Sequence, residues 1–319
     1  MLTVLLAQII EDSQVEALEA EFAGRVRFVR LPTSGEVPAD GSDAAVLFRC
    51  AMSKPQFSTA LAGSPRLAWI HTCSAGFDQL LVPEISERGL TVTRSAATHH
   101  IPIAEWVIGY MFLLAKRFPA LMTAQREHRW APPDTDELGG KTVGIVGAGA
   151  IGSQVARRCR ALGMRVIATK RSPAPSADYD EVLPADQLPA LIEQSDYVVL
   201  ACPLTTETRD MIGERELRLM KPTAFLLNIA RGGLIVDEAL IRALEEGWIA
   251  GAALDAFRQE PLPPDSPLWD VPNLFLTPHA SYKSIHFLER STREFAANLH
   301  RYLAGEPLAN TLRDAALGY

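Results

Sequence analysis

Arg231, Glu260 and His279 are of residue types that together could carry acid–base chemistry. An imidazole titrates near neutral pH and can give or take a proton. A carboxylate paired with it, as Glu260 would be with His279, stabilises the imidazolium form. The guanidinium of Arg231 offers a planar fork of donors that can grip a carboxylate and polarise a carbonyl oxygen. All three fall where strands should end or in a loop between such ends, in Asn228-Ile-Ala-Arg231-Gly232-Gly233, Glu260-Pro261-Leu262 and Leu276-Thr277-Pro278-His279. Ligands of open parallel sheets bind beyond the carboxyl ends of strands, so the three could converge on one cleft. Singly, each has a plain structural explanation: a loop-capping arginine, an exposed turn glutamate before proline, a satisfied loop histidine.

A second constellation binds rather than reacts. Gly147-Ala-Gly149-Ala150-Ile151-Gly152 matches G-x-G-x-x-G between a buried strand, KTVGIVG, and an amphipathic helix, AIGSQVARRCRALG, which is the context the pattern requires. Gly147 permits the tight turn, Gly149 lets a pyrophosphate approach the backbone, and Gly152 lets helix and strand pack closely. The N–H groups of Ala150 and Ile151 then face the phosphates at a helix N-terminus. About 20 residues on, an acid would hold a free ribose 2′-hydroxyl. This chain has Thr169-Lys170-Arg171-Ser172 there instead. Two cations and a hydroxyl suit a 2′-phosphate, so NADP is expected as the preferred cofactor, with NAD second. The plainer explanation for Lys170 and Arg171 is a solvated loop pair.

The elements that must position these groups alternate from end to end. The first third reads as strands at Thr3–Ala7, Arg25–Arg30, Ala44–Arg49, Leu67–Thr72 and Leu90–Thr93, with helices between them. A second run begins near Lys141 and supplies enough strands for a complete dinucleotide-binding sheet. Between the runs, Ile101 to Trp130 reads as one long helix; Ser284 to Leu303 reads as another. The expected fold is therefore α/β, two doubly wound parallel-sheet domains, with the dinucleotide-binding domain over residues 99–286 inserted in a flavodoxin-like substrate domain of residues 1–98 and 287–319. Gly163 is placed to cap the helix that follows the glycine-rich turn.

Composition narrows the class. The chain has 319 residues, 48% hydrophobic and 22% charged, enough to bury two cores. A net charge of -7 argues against a nucleic-acid surface. The start, MLTVLLAQIIEDSQ, reads as a strand and not as a signal peptide. The longest apolar stretch, Ile101 to Ala115, contains Glu105 and is too short for a membrane span. Cysteines at 50, 73, 159 and 202 have no zinc-site spacing, so no metal is expected. Reduced thiols in a cytoplasmic protein are the expectation.

Beyond the glycine-rich turn, the segments CPLTTETRDMI, LLNIARGGLIVDEAL, GAALDAF, EPLPPDSPLW and TPH resemble the D-isomer-specific 2-hydroxyacid dehydrogenase family, over at least residues 139 to 280. The resemblance implies catalysis by Arg231, Glu260 and His279 on a small 2-keto or 2-hydroxy acid. Hydride would add to the keto carbon while His279 gives a proton to its oxygen; in reverse, His279 would act as base. It implies further that Asp255 contacts the nicotinamide carboxamide, that Cys202, Pro203 and Thr208 border the adenosine half, and that Ile229 and Ala230 lie along the cofactor. Cys202 lacks an activating neighbour in sequence and reads as a packing residue. In the first domain, Ser74-Ala75-Gly76-Phe77-Asp78 would hold the substrate carboxylate on the N–H groups of Ala75 and Gly76. Arg49-Cys50-Ala51 would wall the pocket, unless Arg49 is a surface charge. His99 and His100 suit loop packing or hinge contacts.

Formate dehydrogenases place Gln where this chain has Glu260, which argues against formate. The extra C-terminal regulatory domain of several phosphoglycerate dehydrogenases is not expected. His279 continues into Ala280-Ser281-Tyr282, an uncommon continuation in such a family. A glyoxylate/hydroxypyruvate-type reductase is favoured, and a homodimer using the apolar helix is expected, with no nucleic-acid or membrane partner. The alternatives are a dehydrogenase of a larger 2-hydroxy acid, or a dinucleotide-sensing interaction protein like the family's transcriptional corepressors.

Overall fold

The computed structural model describes residues 1–73 and 82–312. In chain order the elements are β1 (Leu2–Leu6), α1 (Asp12–Glu21), β2 (Val26–Arg30), β3 (Val46–Arg49), α2 (Lys54–Ala62), β4 (Trp69–Thr72), α3 (Pro83–Glu87), β5 (Thr91–Arg94), α4 (His100–Ala115), α5 (Phe118–Arg126), β6 (Thr142–Val146), α6 (Ala150–Ala161), β7 (Arg165–Lys170), β8 (Glu181–Pro184), α7 (Leu188–Gln194), β9 (Tyr197–Leu200), α8 (Glu214–Leu219), β10 (Phe225–Asn228), α9 (Asp237–Glu245), β11 (Gly251–Leu254), β12 (Leu274–Leu276) and α10 (Phe287–Ala304). They divide into two compact units. One comprises Met1–His99 and the segment that starts at Ser284, and the other His100–Lys283.

The first unit holds a five-stranded sheet in the order β2-β1-β3-β4-β5, parallel throughout. Strands covered on both faces need continuous apolar runs rather than alternation, and Val4, Leu5, Leu6, Val46, Leu47 and Phe48 are all fully buried. Helix α10 brings the end of the chain back onto this sheet. Its Phe295 stacks on Phe48 with ring centroids 4.4 Å apart and on Trp69 at 5.5 Å.

One expectation about this unit fails. Cys50 and Cys73, read from sequence as reduced thiols, form a disulfide with Cα atoms 5.3 Å apart. The reason is register: Arg49 pairs with Thr72 across β3 and β4, so the next residue of each strand falls beside the other, within the span a disulfide bridges. A separation of 23 residues along the chain carries no trace of that adjacency. Cys159 and Cys202 are free thiols.

The second unit holds a seven-stranded parallel sheet, β12-β11-β10-β9-β6-β7-β8. Strand order reverses direction about β6 and β9, which creates a crevice at their carboxyl ends. The edge strand β8 was not anticipated from sequence; it ends in Pro184, which an edge tolerates. Helix α6 ends as expected, with Gly163 at φ +78 and its N–H bonded to Arg160 O at 2.9 Å. The single helix expected over 101–130 is instead two, α4 and α5, bent by 62° at their junction. Pro119 has no N–H to continue α4 and sits in the first turn of α5, while Arg117 turns the chain in the left-handed region at φ +52. No single helix among the described residues is long and apolar enough to cross a membrane.

Candidate active site

The glycine-rich turn lies at the crevice of the second unit. Gly147 adopts φ +112, and a Cβ there would come within 2.8 Å of the Ala201 carbonyl and the Cys202 nitrogen, so the turn rests directly on the end of β9. A Cβ on Gly152 would meet Gly147 O at 2.3 Å, which is the close helix–strand approach expected of the third glycine. Gly149 differs. It is the N-cap of α6, and a Cβ there would meet no protein atom within 4 Å. The open space over Gly149, at the start of a twelve-residue helix, fits a pyrophosphate with Ala150 and Ile151 offering N–H groups.

Around this turn the other cofactor candidates take their places. Lys170 ends β7 and is exposed, as are Arg171 and Ser172. Arg171 is close enough to Glu207 to help lower its carboxyl pKa, after the larger effects of Thr205 and the Glu207 backbone. Thr208 closes its own loop: its Oγ1 donates to Pro203 O at 2.7 Å and accepts from Thr205 N at 2.7 Å. Burial pushes the Cys202 thiol up to about 11, so it is not a thiolate nucleophile at neutral pH. Ile229 and Ala230 are buried after β10.

Three loops at the ends of β10, β11 and β12 carry the proposed acid–base residues, and each is tied to the next. Asn228 fixes the first: its Nδ2 donates to Arg231 O at 2.9 Å and its Oδ1 accepts from Ala230 N at 3.0 Å. Arg231 is half-buried, with Nη1 donating to Ala230 O at 2.8 Å. Gly232 then packs against the second loop so tightly that a Cβ would lie 1.9 Å from Phe257 C and 2.2 Å from Arg258 N. Arg258 joins the same two loops through its side chain, with Nε donating to Ile235 O at 2.8 Å and Nη2 paired with Asp210. Glu260 closes the circuit. Its Oε1 accepts from Phe257 N at 2.9 Å, and its Oε2 lies 2.8 Å from His279 Nδ1. Both side chains are 37% exposed, so the pair is reachable from solvent while fixed at one nitrogen. With Nδ1 committed to the carboxylate, Nε2 is the atom that can present a proton outward.

The third loop is organised by Asp255, which is fully buried. Its Oδ1 accepts from Thr277 Oγ1 at 2.6 Å and Ala280 N at 2.7 Å, and its Oδ2 from Ser281 N at 2.9 Å. Asp255 therefore brackets His279, which sits in the left-handed region at φ +49. Trp106 of α4 adds a hydrogen bond from Nε1 to Thr277 Oγ1 at 3.1 Å.

In the first unit, Arg49 is fully buried rather than a surface charge. Its Nη2 donates to Met52 O at 2.7 Å, and its guanidinium lies over the Phe57 ring at 5.0 Å. It thereby holds the turn through Ala51, whose φ is +50. Burial lowers its pKa to about 10, so it stays charged. Ala75 and Gly76 lie outside the described residues. His99 packs as a loop histidine, with Nε2 donating to Cys73 O at 2.5 Å and its ring against Phe287.

Three positioning residues escaped the sequence reading. Asn228 and Gly232 stand beside Arg231 in sequence and Arg258 beside Phe257, but the loop contacts that give them their roles are not visible in the chain.

The family profile described as D-isomer specific 2-hydroxyacid dehydrogenase, NAD binding domain, matches residues 108–281. A glyoxylate reductase from Thermofilum pendens is 37% identical over 269 residues, covering 81% of this chain and 78% of its own length. Among solved structures, a D-isomer specific 2-hydroxyacid dehydrogenase from Xanthobacter autotrophicus, in complex with NADPH and MES, superposes with a TM-score of 0.85 at 30% identity, covering 99% of each chain. An NADPH-dependent glyoxylate/hydroxypyruvate reductase from Sinorhizobium meliloti, in complex with NADP and sulfate, gives 0.84 at 25% identity over 100% of both chains.

Proposed function

The chain belongs to the D-isomer specific 2-hydroxyacid dehydrogenase family, and on that premise we propose that it reduces a small 2-keto acid of the glyoxylate or hydroxypyruvate type to the D-2-hydroxy acid, with NADPH preferred over NADH. The observation that carries this proposal is the His279 Nδ1–Glu260 Oε2 contact of 2.8 Å, which leaves Nε2 to deliver the proton. The reduced nicotinamide, when bound, supplies hydride to the keto carbon. His279 Nε2 gives its proton to the keto oxygen, while Glu260 holds the ring through Nδ1. Arg231 grips the substrate carboxylate and polarises the keto oxygen. In the oxidative direction His279 takes the proton back.

The second unit is the proposed cofactor domain and the first the substrate domain. Gly147, Gly149, Ala150, Ile151 and Gly152 would hold the pyrophosphate, and Lys170, Arg171 and Ser172 the 2′-phosphate. Cys202, Pro203 and Thr208 would flank the adenosine, and Ile229 and Ala230 the nicotinamide. Asp255 is proposed to accept from the carboxamide with Oδ2, which takes one protein hydrogen bond where Oδ1 takes two. Ala75 and Gly76 are proposed as the carboxylate cradle, with Arg49 supporting the neighbouring wall from beneath.

The proposal includes a homodimer and a cytoplasmic setting. The dimer is supported by apolar exposure on and beyond α5, where Met122 is 52% and Trp130 100% exposed beside a hollow of about 610 Å³ lined by Leu121, Ala124 and Pro132. Light scattering tests it. The Cys50–Cys73 disulfide is the feature least in keeping with a reducing cytosol, and mass spectrometry of protein alkylated in cells tests that setting.

Activity is tested by following NADPH and NADH oxidation with glyoxylate, hydroxypyruvate, pyruvate and phenylpyruvate. Turnover of none refutes the activity, a higher kcat/KM with NADH refutes the cofactor preference, and a preference for phenylpyruvate refutes the small-substrate assignment. His279→Ala should abolish turnover and keep NADPH binding. Replacing Lys170 and Arg171 by Ala should erode the NADPH preference by about tenfold or more, the scale of one or two lost charge-assisted contacts.

A further inference from the structure

His279 is held by Glu260 through a single nitrogen, at 2.8 Å. One hydrogen bond is a pivot, about which the imidazole can still swing and carry Nε2 away from a substrate oxygen. Proton transfer demands that this atom stay within hydrogen-bond reach of its acceptor, so a second contact on the ring is required. Tyr282 supplies it. The two rings meet with centroids 6.0 Å apart and planes at 82°, the edge-to-face geometry that aromatic pairs prefer.

The main chain makes this contact a fixed one. Only Ala280 and Ser281 separate the two rings, and Asp255 accepts from both of their N–H groups, at 2.7 and 2.9 Å. His279 N adds a bond to Thr277 O at 2.9 Å. Tyr282 is itself half-buried and packs, as Trp106, Tyr110 and Phe275 do, against the core that contains Ile103, Val107 and Ile145. That packing ties the Tyr282 ring to the second unit's core independently of the imidazole.

We propose that Tyr282 is a positioning residue for the proton donor: its ring and the Glu260 carboxylate together hold the His279 imidazole so that Nε2 faces the substrate oxygen. The role rests on the assignment of His279 as proton donor. The contact is made by the ring, so phenylalanine should serve equally well.

The test compares kcat and KM of wild type, Y282F, Y282L, Y282M and H279Q with NADPH and glyoxylate. Loss of the ring in Y282L and Y282M should lower kcat about threefold to tenfold, the range of an aromatic contact, with the KM for NADPH changed less than about twofold. Y282F should keep the wild-type kcat. In parallel, the proton NMR resonance of His279 Cε1–H should be ring-current shifted in wild type and Y282F and should move back in Y282L or Y282M. Unchanged kcat in the leucine and methionine variants overturns the proposal, as does an equal loss in Y282F. So does the absence of a ring-current shift in the wild-type enzyme, a result that needs no variant to fold. An active H279Q overturns the proton-donor assignment itself, whereas an inactive H279Q beside a fully active Y282L overturns the role of Tyr282 alone.

Discussion

Gly232→Ala is the sharpest perturbation of the loop circuit, because it adds one methyl group and no charge. The Cβ would stand 1.9 Å from Phe257 C, 2.2 Å from Arg258 N and 2.4 Å from Phe257 Cα, all backbone atoms with no rotamer to yield. Relief to an ordinary carbon contact requires the Arg231 and Glu260 loops to part by about 1.5 Å. A displacement of about 1 Å between catalytic groups can cost about a hundredfold in rate. Overpacking of this kind costs about 1–3 kcal/mol of stability. The assay is kcat together with the Kd for NADPH from fluorescence, since the atoms nearest a Gly232 Cβ belong to Phe257 and Arg258 and not to the glycine-rich turn. We expect kcat to fall about a hundredfold while Kd changes less than about threefold. Gly149→Ala is the control with the opposite profile. Its Cβ enters space free of protein atoms within 4 Å, so stability should hold while NADPH affinity falls sharply. A Gly232→Ala enzyme with near-normal kcat would refute the circuit, and a Gly149→Ala protein with normal NADPH affinity would refute the phosphate site.

Asp255→Asn retains shape but turns an acceptor that serves two backbone N–H groups into a partial donor; stability should fall by about 1–3 kcal/mol and kcat with it, read by urea denaturation and steady-state rates. Reducing the Cys50–Cys73 disulfide reopens a loop of 23 residues and should lower the stability of the first unit by about 3 kcal/mol on the chain-entropy account, measured as a drop in urea midpoint with a phosphine reductant. His71 is buried, bonded to Thr93 Oγ1 at 2.7 Å and Ser95 Oγ at 3.0 Å, and burial lowers its pKa from 6.5 to about 3. The unfolded chain therefore binds a proton below about pH 6.5 that the folded chain refuses until about pH 3. Its contribution is complete above that window and is lost as pH falls through it, by up to about 1.4 kcal/mol per pH unit. His71→Gln should flatten the acid side of the stability curve; an unchanged slope would show that other groups set it.

Sequence by itself determined the architecture and the chemical inventory. Parallel strands must be apolar on both faces, so TVLL, TVGIV, YVVL and FLLN announce themselves without reference to partners. The glycine-rich turn is legible because its requirements are local: a tight turn, a close approach and a helix start within six residues. Arg231, Glu260 and His279 are legible as types and order, at strand ends and in the loop between them. What tertiary structure alone decided is how far those groups are held, and by what. The disulfide follows from strand register, and the bend between α4 and α5 from how Arg117 and Pro119 turn the chain. Arg49 looked like a pocket wall or a surface charge, and burial over Phe57 made it a support for the Met52 turn. Gly232, Arg258 and Asp255 act across gaps in sequence, on the loops that carry Arg231, Glu260 and His279. Chain spacing records neighbours along one dimension, whereas hydrogen bonds of 2.6–2.9 Å around Asp255 depend on which strand ends lie side by side.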